Sequence, residues 1–549
     1  MSLQPKLDYT VPEQTARIAK AAFPKATLCM KIYDQLGTIF SDQDFVDIFA
    51  RRGQRAQAPF RLALVTILQF LEGLSDRAAA EAVRGRIDWK YLLCLELDDA
   101  GFDYSILSEF RGRLLAGGIE RRLLDKLLAN LREQKLIKGR GKQRSDSTHV
   151  LGAIRDLNRL EFIGETLRSA LNALANVIPD WISTHCPAEW VERYGRRVED
   201  FRLPKDAGAR TEYAEQIGVD GHYLLDVVYD GKSPGWLREI PAVEILRRVW
   251  VEQFQIVDTR VRLRDKDNVP PSSQRIDSPY DAEAHYGRKR DTTWVGYKVH
   301  ITESCDEDTP HLITDVQTES ASAHDHDALD DIHKALALEQ LLPARHLVDA
   351  AYTRAREMAS SLSQYGVELF GPVAPSSSWQ AQRANGIDSS QFEVDWQYEQ
   401  IRCPAGQTSS SWQKTTDKYG KEFILVAFRP SDCQSCSSKA ECTKGKHRKI
   451  HLLPKPDYEA LQTARRRQQT ADFKQQYKLR AGVEGTISQG VRSFELRHSR
   501  YLGRAKTHLQ HLATAVAINF ARLADWFTGY TPAKTRVSAF TRAVQPLPV

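Results

Sequence analysis

Residues 344–374 read ARHLVDAAYTRAREMASSLSQYGVELFGPVA, and three patterns follow one another within them. The apolar segment His346–Val348 is short enough for a buried strand and delivers Asp349 at its end. TRAREMASSLSQYG then has helical spacing, and VELFGPVA is a second strand. Working outward, TTWVGYKVHITESC (292–305) and PHLITDVQTES (310–320) read as strands, and HDALDDIHKALALEQL (326–341) as a helix. The order strand, strand, helix, strand, helix, strand predicts an α/β core with a mixed sheet. A carboxylate at the C-terminal end of a strand is a candidate site position, although turns and caps use aspartate there too. HDHD at 324–327 has metal-like residues, but it opens a helix, so capping is the expected role.

The chain of 549 residues is long enough for two to four domains. With 42% hydrophobic and 27% charged residues it has the composition of a soluble globular protein. MSLQPKLDY carries no secretory apolar core, and the most apolar stretches, Leu62–Leu71 and Leu509–Phe527, are broken by polar residues. A membrane location is excluded on this reading, and a cytoplasmic one expected. Of the eight cysteines, Cys29, Cys94, Cys186 and Cys305 are scattered and read as inert thiols. Cys403, Cys433, Cys436 and Cys442 cluster, and four thiolates are enough to close a tetrahedral structural Zn²⁺ site, with His447 or His451 as substitutes.

Residues 1–138 are helical in pattern. FRLALVTILQFLEG ends at Gly73, and LSDRAAAEAVRG begins at a Ser75 N-cap and ends at Gly85, a spacing that resembles a helix-turn-helix. Such pairs more often merely pack together, but Arg77, Arg84, Arg86 and Lys90 supply charge suited to DNA. KQRSDSTHVLGAI (142–154) reads as a short strand around Asp146. From about 155 to 270 amphipathic helices follow, among them LNALANVI, WVERYGRRVEDF and PAVEILRRVWVEQF.

Positive charge lies late in the chain. Between Lys439 and Lys506 there are 17 Lys and Arg against 6 Asp and Glu, a larger excess than the +6 of the whole protein. A segment of this kind, with Tyr477, Phe494 and Tyr501 interspersed, suits a phosphate backbone. Within it, YKLRAGVEGTISQGVR (477–492) keeps one acid, Glu484. On a continuous helix Tyr477, Arg480, Glu484 and Val491 share a face. A simple Arg480–Glu484 surface pair is one reading. Gly482, Gly485 and Gly490 speak for another, because a surface helix avoids glycines unless something approaches its backbone closely.

These stretches together resemble the DDE transposases of bacterial insertion sequences, in the branch with a Tyr-x2-Arg-x3-Glu-x6-Lys signature. SDSTHV resembles the strand with the first catalytic aspartate, HLVDAAY the strand with the second, and YKLRAGVEG the helix with the glutamate. LSDRAAAEAVRGRIDWKYLL and FDYSILSEFRGRL resemble the family's helical N-terminal domain. The signature's last Lys falls on Val491, with Arg492 one step beyond. The resemblance implies a catalytic triad of Asp146, Asp349 and Glu484 that binds two Mg²⁺ ions, or Mn²⁺ in their place. It assigns DNA contact to Tyr477, Lys478, Arg480 and Arg492.

The implied fold is an RNase H-like mixed-sheet core behind an all-α N-terminal domain. On that reading residues 1–138 bind DNA, 139–154 hold the first core strand, and 155–288 form a helical insertion. Residues 289–374 continue the core, 375–474 form the insertion with the four-cysteine zinc site, 475–530 carry the glutamate helix and the C-terminal helix, and 531–549 are a tail. The implied function is binding of element ends with inverted repeats, followed by DNA cleavage and strand transfer into target DNA. A homodimer at the nucleoid is expected, with 152–288 and the helix KTHLQHLATAVAINFARLADWF as candidate contacts, core packing within one protomer being the equal alternative for that helix. An inactive regulator derived from a transposase and a structure-selective RNase H-like nuclease are the alternatives.

Overall fold

FRLALVTILQFL is apolar on every side. In the computed structural model, which describes residues 2–6, 8–529 and 539–544, it forms helix α1 (Pro59–Leu71), with all but Arg61 and Leu71 buried. Pro59 in the first turn has no N–H to leave unpaired. The chain turns at Gly73, where φ is +69°, and Ser75 caps α2 (Asp76–Gly85), its Oγ accepting from Ala78 N at 3.2 Å. The expected pair is therefore present, but its charge differs from expectation. Lys90 is buried, and its Nζ donates to the carbonyls of Leu97 (2.6 Å) and Asp99 (2.9 Å). Arg86 is engaged by Asp88 at 2.8 Å and by Glu72. Arg77 and Arg84 remain exposed.

Strand β1 (Lys142–Leu151) leads into α3 (Arg159–Val177), α4 (Ala207–Tyr229) and α5 (Pro241–Gln253). Asn158 and Glu161 close a capping box at the start of α3. The three helices pack on a core that includes Trp181, Trp190 and Trp250. A Cβ on Gly221 of α4 would stand 2.1 Å from the Trp250 ring, so glycine there admits the indole. The expectation of helix throughout needs two corrections. Of WVERYGRRVEDF only Trp190–Tyr194 is α-helical, and Phe254–Val257 pairs with Arg260–Leu263 as an antiparallel hairpin. Asp258 and Thr259 adopt positive φ at that turn, local chemistry that the apolar pattern conceals.

Then come β2 (His285–Lys289), β3 (Thr292–Ser304), β4 (Ile313–Ser320), α6 (Leu329–Leu338), β5 (Arg345–Leu347), α7 (Ala355–Tyr365) and β6 (Glu368–Phe370). From β3 to β6 the order matches expectation. HDHD does cap: Asp327 Oδ2 accepts from His324 N at 3.0 Å. After them α8 (Lys455–Gln468), α9 (Ala471–Tyr477), α10 (Gly482–Ser493) and α11 (Arg504–Phe527) end the main body of the described chain.

The chain forms two compact units. The first comprises Met1–Lys138, Ser147–Ala323 and Gly485–Val549; the second comprises Gly139–Asp146 and His324–Glu484. In the first, β3 pairs antiparallel with β2 and with β4. The α11 helix is buried along Leu509, Leu512, Val516, Ile518 and Phe520. Its Asn519 amide holds both backbone groups of Ile313, at 2.8 and 2.9 Å. That helix is core of its own unit rather than a free face for a second protomer. In the second unit β1 pairs parallel with β5, and β5 with β6. Strand β1 runs through both units, residues 142–146 in the second and 147–151 in the first. Of the expected tail, residues 531–538 and 545–549 lie outside the described residues. No described helix is long and apolar enough to cross a membrane.

Candidate active site

The parallel register of β1 and β5 ends at the pair Arg144↔Leu347. Two residues beyond that pair on each chain stand Asp146 and Asp349. Parallel strands run in the same direction, so both carboxylates stand at the same level just past the paired stretch, Asp146 in the middle of β1 and Asp349 after the end of β5. Asp146 is buried and Asp349 half-buried. Asp349 Oδ1 also accepts from Ala351 N at 2.8 Å, so it serves the turn as well.

The stretch expected as one helix is broken. Helix α9 ends at Tyr477, Lys478–Ala481 is a single 3-10 turn, and α10 starts at Gly482. The break puts Arg480 on the turn and Glu484 in the first turn of α10. Arg480 Nη2 lies 2.7 Å from Asp146 Oδ2 and 3.9 Å from Asp349 Oδ2, and Nη1 lies 2.5 Å from Glu484 Oε1. One guanidinium thus touches or approaches all three acids of the expected triad. Its side chain is 11% exposed, whereas that of Glu484 is 63% exposed. Burial works against the charge of Arg480, but attraction to Asp146, Tyr477, Asp349 and Glu484 outweighs it and holds the guanidinium above its ordinary value. Its Nε is buried and without a partner.

Residues that sequence reasoning passed over hold this turn in place. Arg144 Nη1 donates to Leu479 O at 2.5 Å. Its guanidinium lies against Gly482, where a Cβ would stand 2.1 Å from Nη1. The close approach expected at the glycines is thus made by Arg144 at Gly482 and by Leu496 at Gly490, while Gly485 faces open space. Arg345 donates to Glu368 (Nε, 2.7 Å) and to Gln476. Arg345 and Arg467 both stack on Phe370, at 4.6 and 4.5 Å. Phe370, Phe473 and Tyr477 form a stacked column. Burial foremost, with the three carboxylates adding to it, raises the Tyr477 hydroxyl. Lys478 and Arg492 are exposed. Only the position of Arg144, two residues before Asp146, signals its part, since no motif marks it.

The donor set suits a hard divalent cation in kind, since carboxylate oxygens are the ligands such ions take. As placed, the acids surround a guanidinium, which stands in for a cation. Among the described residues no group of three or more His, Cys, Asp or Glu forms a ready metal-holding cluster.

The four clustered cysteines lie within the second unit, beside the antiparallel strands Ser411–Thr416, Glu422–Ala427 and Lys449–Leu452. Cys403, Cys433, Cys436 and Cys442 line one cavity of about 30 Å³, which neither His447 nor His451 lines. Cys403 Sγ accepts from Gln407 N (3.3 Å) and Cys433 Sγ from Arg448 N (3.4 Å). Burial, together with the other three thiols, pushes the Cys442 thiol up, against the pull of Arg448. The four sulfurs are donors of the kind zinc takes and line one cavity, but as placed they form no ready metal-holding group.

Comparison with protein families finds two matches. Residues 19–113, which include α1 and α2, match a family described as a transposase domain. Residues 402–524 match a family described as a transposase DDE domain. The second match holds Tyr477, Arg480, Glu484 and the four cysteines; Asp146 and Asp349 lie outside it. No curated protein and no solved structure matches the chain. A transposase-domain match over residues 19–113 and a transposase DDE-domain match over residues 402–524 together support a DDE transposase of the insertion-sequence type.

Proposed function

We propose that the protein binds the ends of its element and performs DNA cleavage and strand transfer with Asp146, Asp349 and Glu484 as the catalytic acids of an RNase H-like core. The observation that carries this reading is the gathering of all three acids on one guanidinium, from a strand, a strand end and a helix start. These are the residues that would hold Mg²⁺ or Mn²⁺, which when bound supplies the Lewis acidity needed for in-line displacement at phosphorus.

The protein's own part is to hold the phosphodiester and keep the acids in register. Asp146 is fixed by β1 and Asp349 by the turn after β5, while Glu484 stands on the solvent side, where a duplex can reach it. Tyr477, Lys478, Arg480 and Arg492 are the proposed contacts to DNA phosphates, a sequence-independent part of end binding. Double-stranded element ends with inverted repeats and target DNA are the proposed partners, and paired ends call for a homodimer. Cys403, Cys433, Cys436 and Cys442 are proposed to hold a structural Zn²⁺.

The test uses the purified protein with duplexes of the element's terminal sequence and Mg²⁺. Replacing Glu484 by Gln is expected to abolish cleavage while end binding is kept or slightly strengthened. Cleavage that survives in this variant overturns the catalytic assignment.

A further inference from the structure

We propose that Arg480 is the cation the triad holds before metal arrives, and that metal entry requires its guanidinium to leave the acids; this rests on the reading of Asp146, Asp349 and Glu484 as the metal-holding residues. Three carboxylates drawn together without a cation repel one another. The guanidinium relieves this, with one nitrogen on Asp146 and towards Asp349 and the other on Glu484. A divalent ion bound to Asp146 would compete for the oxygen that accepts Nη2 at 2.7 Å, and would stand next to a like charge. The two cations therefore exclude each other at this carboxylate.

The exit of Arg480 is easy in two respects. Its Nε has no partner to give up, so the ties of the guanidinium are those to the acids themselves, which a metal would take over. Its backbone sits on a short 3-10 turn between two helices rather than inside one. The acid nearest solvent, Glu484, marks the side to which the guanidinium can swing, and on that side a phosphate of bound DNA can receive it. Loading of the metal and the Arg480 phosphate contact thus become two halves of one exchange. Arg480 is on this view a positioning residue for the metal-free triad and a competitor of the metal.

The experiment measures Mn²⁺ binding to the full chain without DNA, by calorimetry or electron paramagnetic resonance. Wild type is compared with Arg480→Ala, Arg480→Lys and Asp146→Asn, together with melting temperatures with and without Mn²⁺. Arg480→Ala is expected to bind Mn²⁺ roughly tenfold tighter, the scale of one lost charge-assisted contact, to melt lower than wild type without metal, and to recover on adding it. Arg480→Lys keeps the charge and is expected to stay near wild type. Arg480→Gln, which retains a polar stem, carries the test if the alanine form does not fold.

If wild type binds Mn²⁺, Asp146→Asn loses it, and neutral variants at Arg480 bind equally or more weakly, the exchange is overturned while the triad stands. If wild type and Asp146→Asn bind alike, the triad reading fails, and the exchange with it.

Discussion

Ser145 Oγ lies 2.6 Å from His346 Nε2, and both side chains are buried. Asp146 follows Ser145 directly, and Asp349 stands three positions after His346, so this bond ties together the two strands that carry the aspartates. The other nitrogen of the ring, His346 Nδ1, meets His333 Nε2 of α6 at 3.0 Å. The chain of three side chains fastens β1 to β5 and β5 to α6. Replacing His346 by Ala removes a fully buried ring together with the bond it makes to Ser145 Oγ. The expected loss is about 2–4 kcal/mol, read from the urea midpoint at unchanged slope. A loss below about 0.5 kcal/mol would show that the bond does not hold the strands.

The buried histidines His333 and His346 of this network, and His511 of α11, set an expectation for pH. Burial lowers His333 to about 4, lowers His511 to about 3, and holds His346 well below its ordinary 6.5. In the window from about 6.5 down to about 4 the unfolded chain takes up protons that the folded chain refuses. Stability is therefore full above about 6.5 and falls as the pH drops, by up to about 1.4 kcal/mol per pH unit for each such histidine. Melting temperatures at pH 7 and pH 5 check this: a protein equally stable at both would refute the buried, neutral state of these rings.

Two glycines of α10 are expected to respond in opposite ways. Gly482→Ala pushes a methyl group into the Arg144 guanidinium, 2.1 Å away, and is expected to cost about 1–3 kcal/mol. Because Arg144 also holds the Leu479 carbonyl, the turn bearing Arg480 shifts and end cleavage falls with it. Gly485→Ala has no atom within 4 Å and is expected to gain up to about 1 kcal/mol from helix propensity. Chemical denaturation of the two variants side by side separates the readings.

The four-cysteine cavity makes an expectation about metal removal. Elemental analysis of freshly purified, reduced protein is expected to find about one zinc per chain, held at sulfur distances near 2.3 Å. Cys436→Ser is expected to lose it and to loosen the strands around residues 411–452, seen as faster hydrogen exchange there. Zinc-free wild-type protein of unchanged stability would leave the cysteines as four unrelated thiols.

The sequence by itself determined the local structure, because that structure rests on neighbours. The alternation of apolar residues in 292–374 specified the order of strands and helices. Ser75 and the HDHD stretch at 324–327 signalled caps, and the apolar run before Asp349 specified a strand end. The four cysteines announced themselves by spacing. Only the tertiary structure decided what lies between distant positions. Lys90, legible as a DNA-facing charge, turned inward because the carbonyls of Leu97 and Asp99 satisfy its ammonium group. The apolar breadth of α11 suited a dimer face and a core equally, and packing against its own unit chose the core. The pair expected between Arg480 and Glu484 exists, yet its meaning comes from Asp146 and Asp349, which reach the same guanidinium through the register of two parallel strands. That pairing joins segments some two hundred residues apart, and no local pattern says which distant strand becomes the partner.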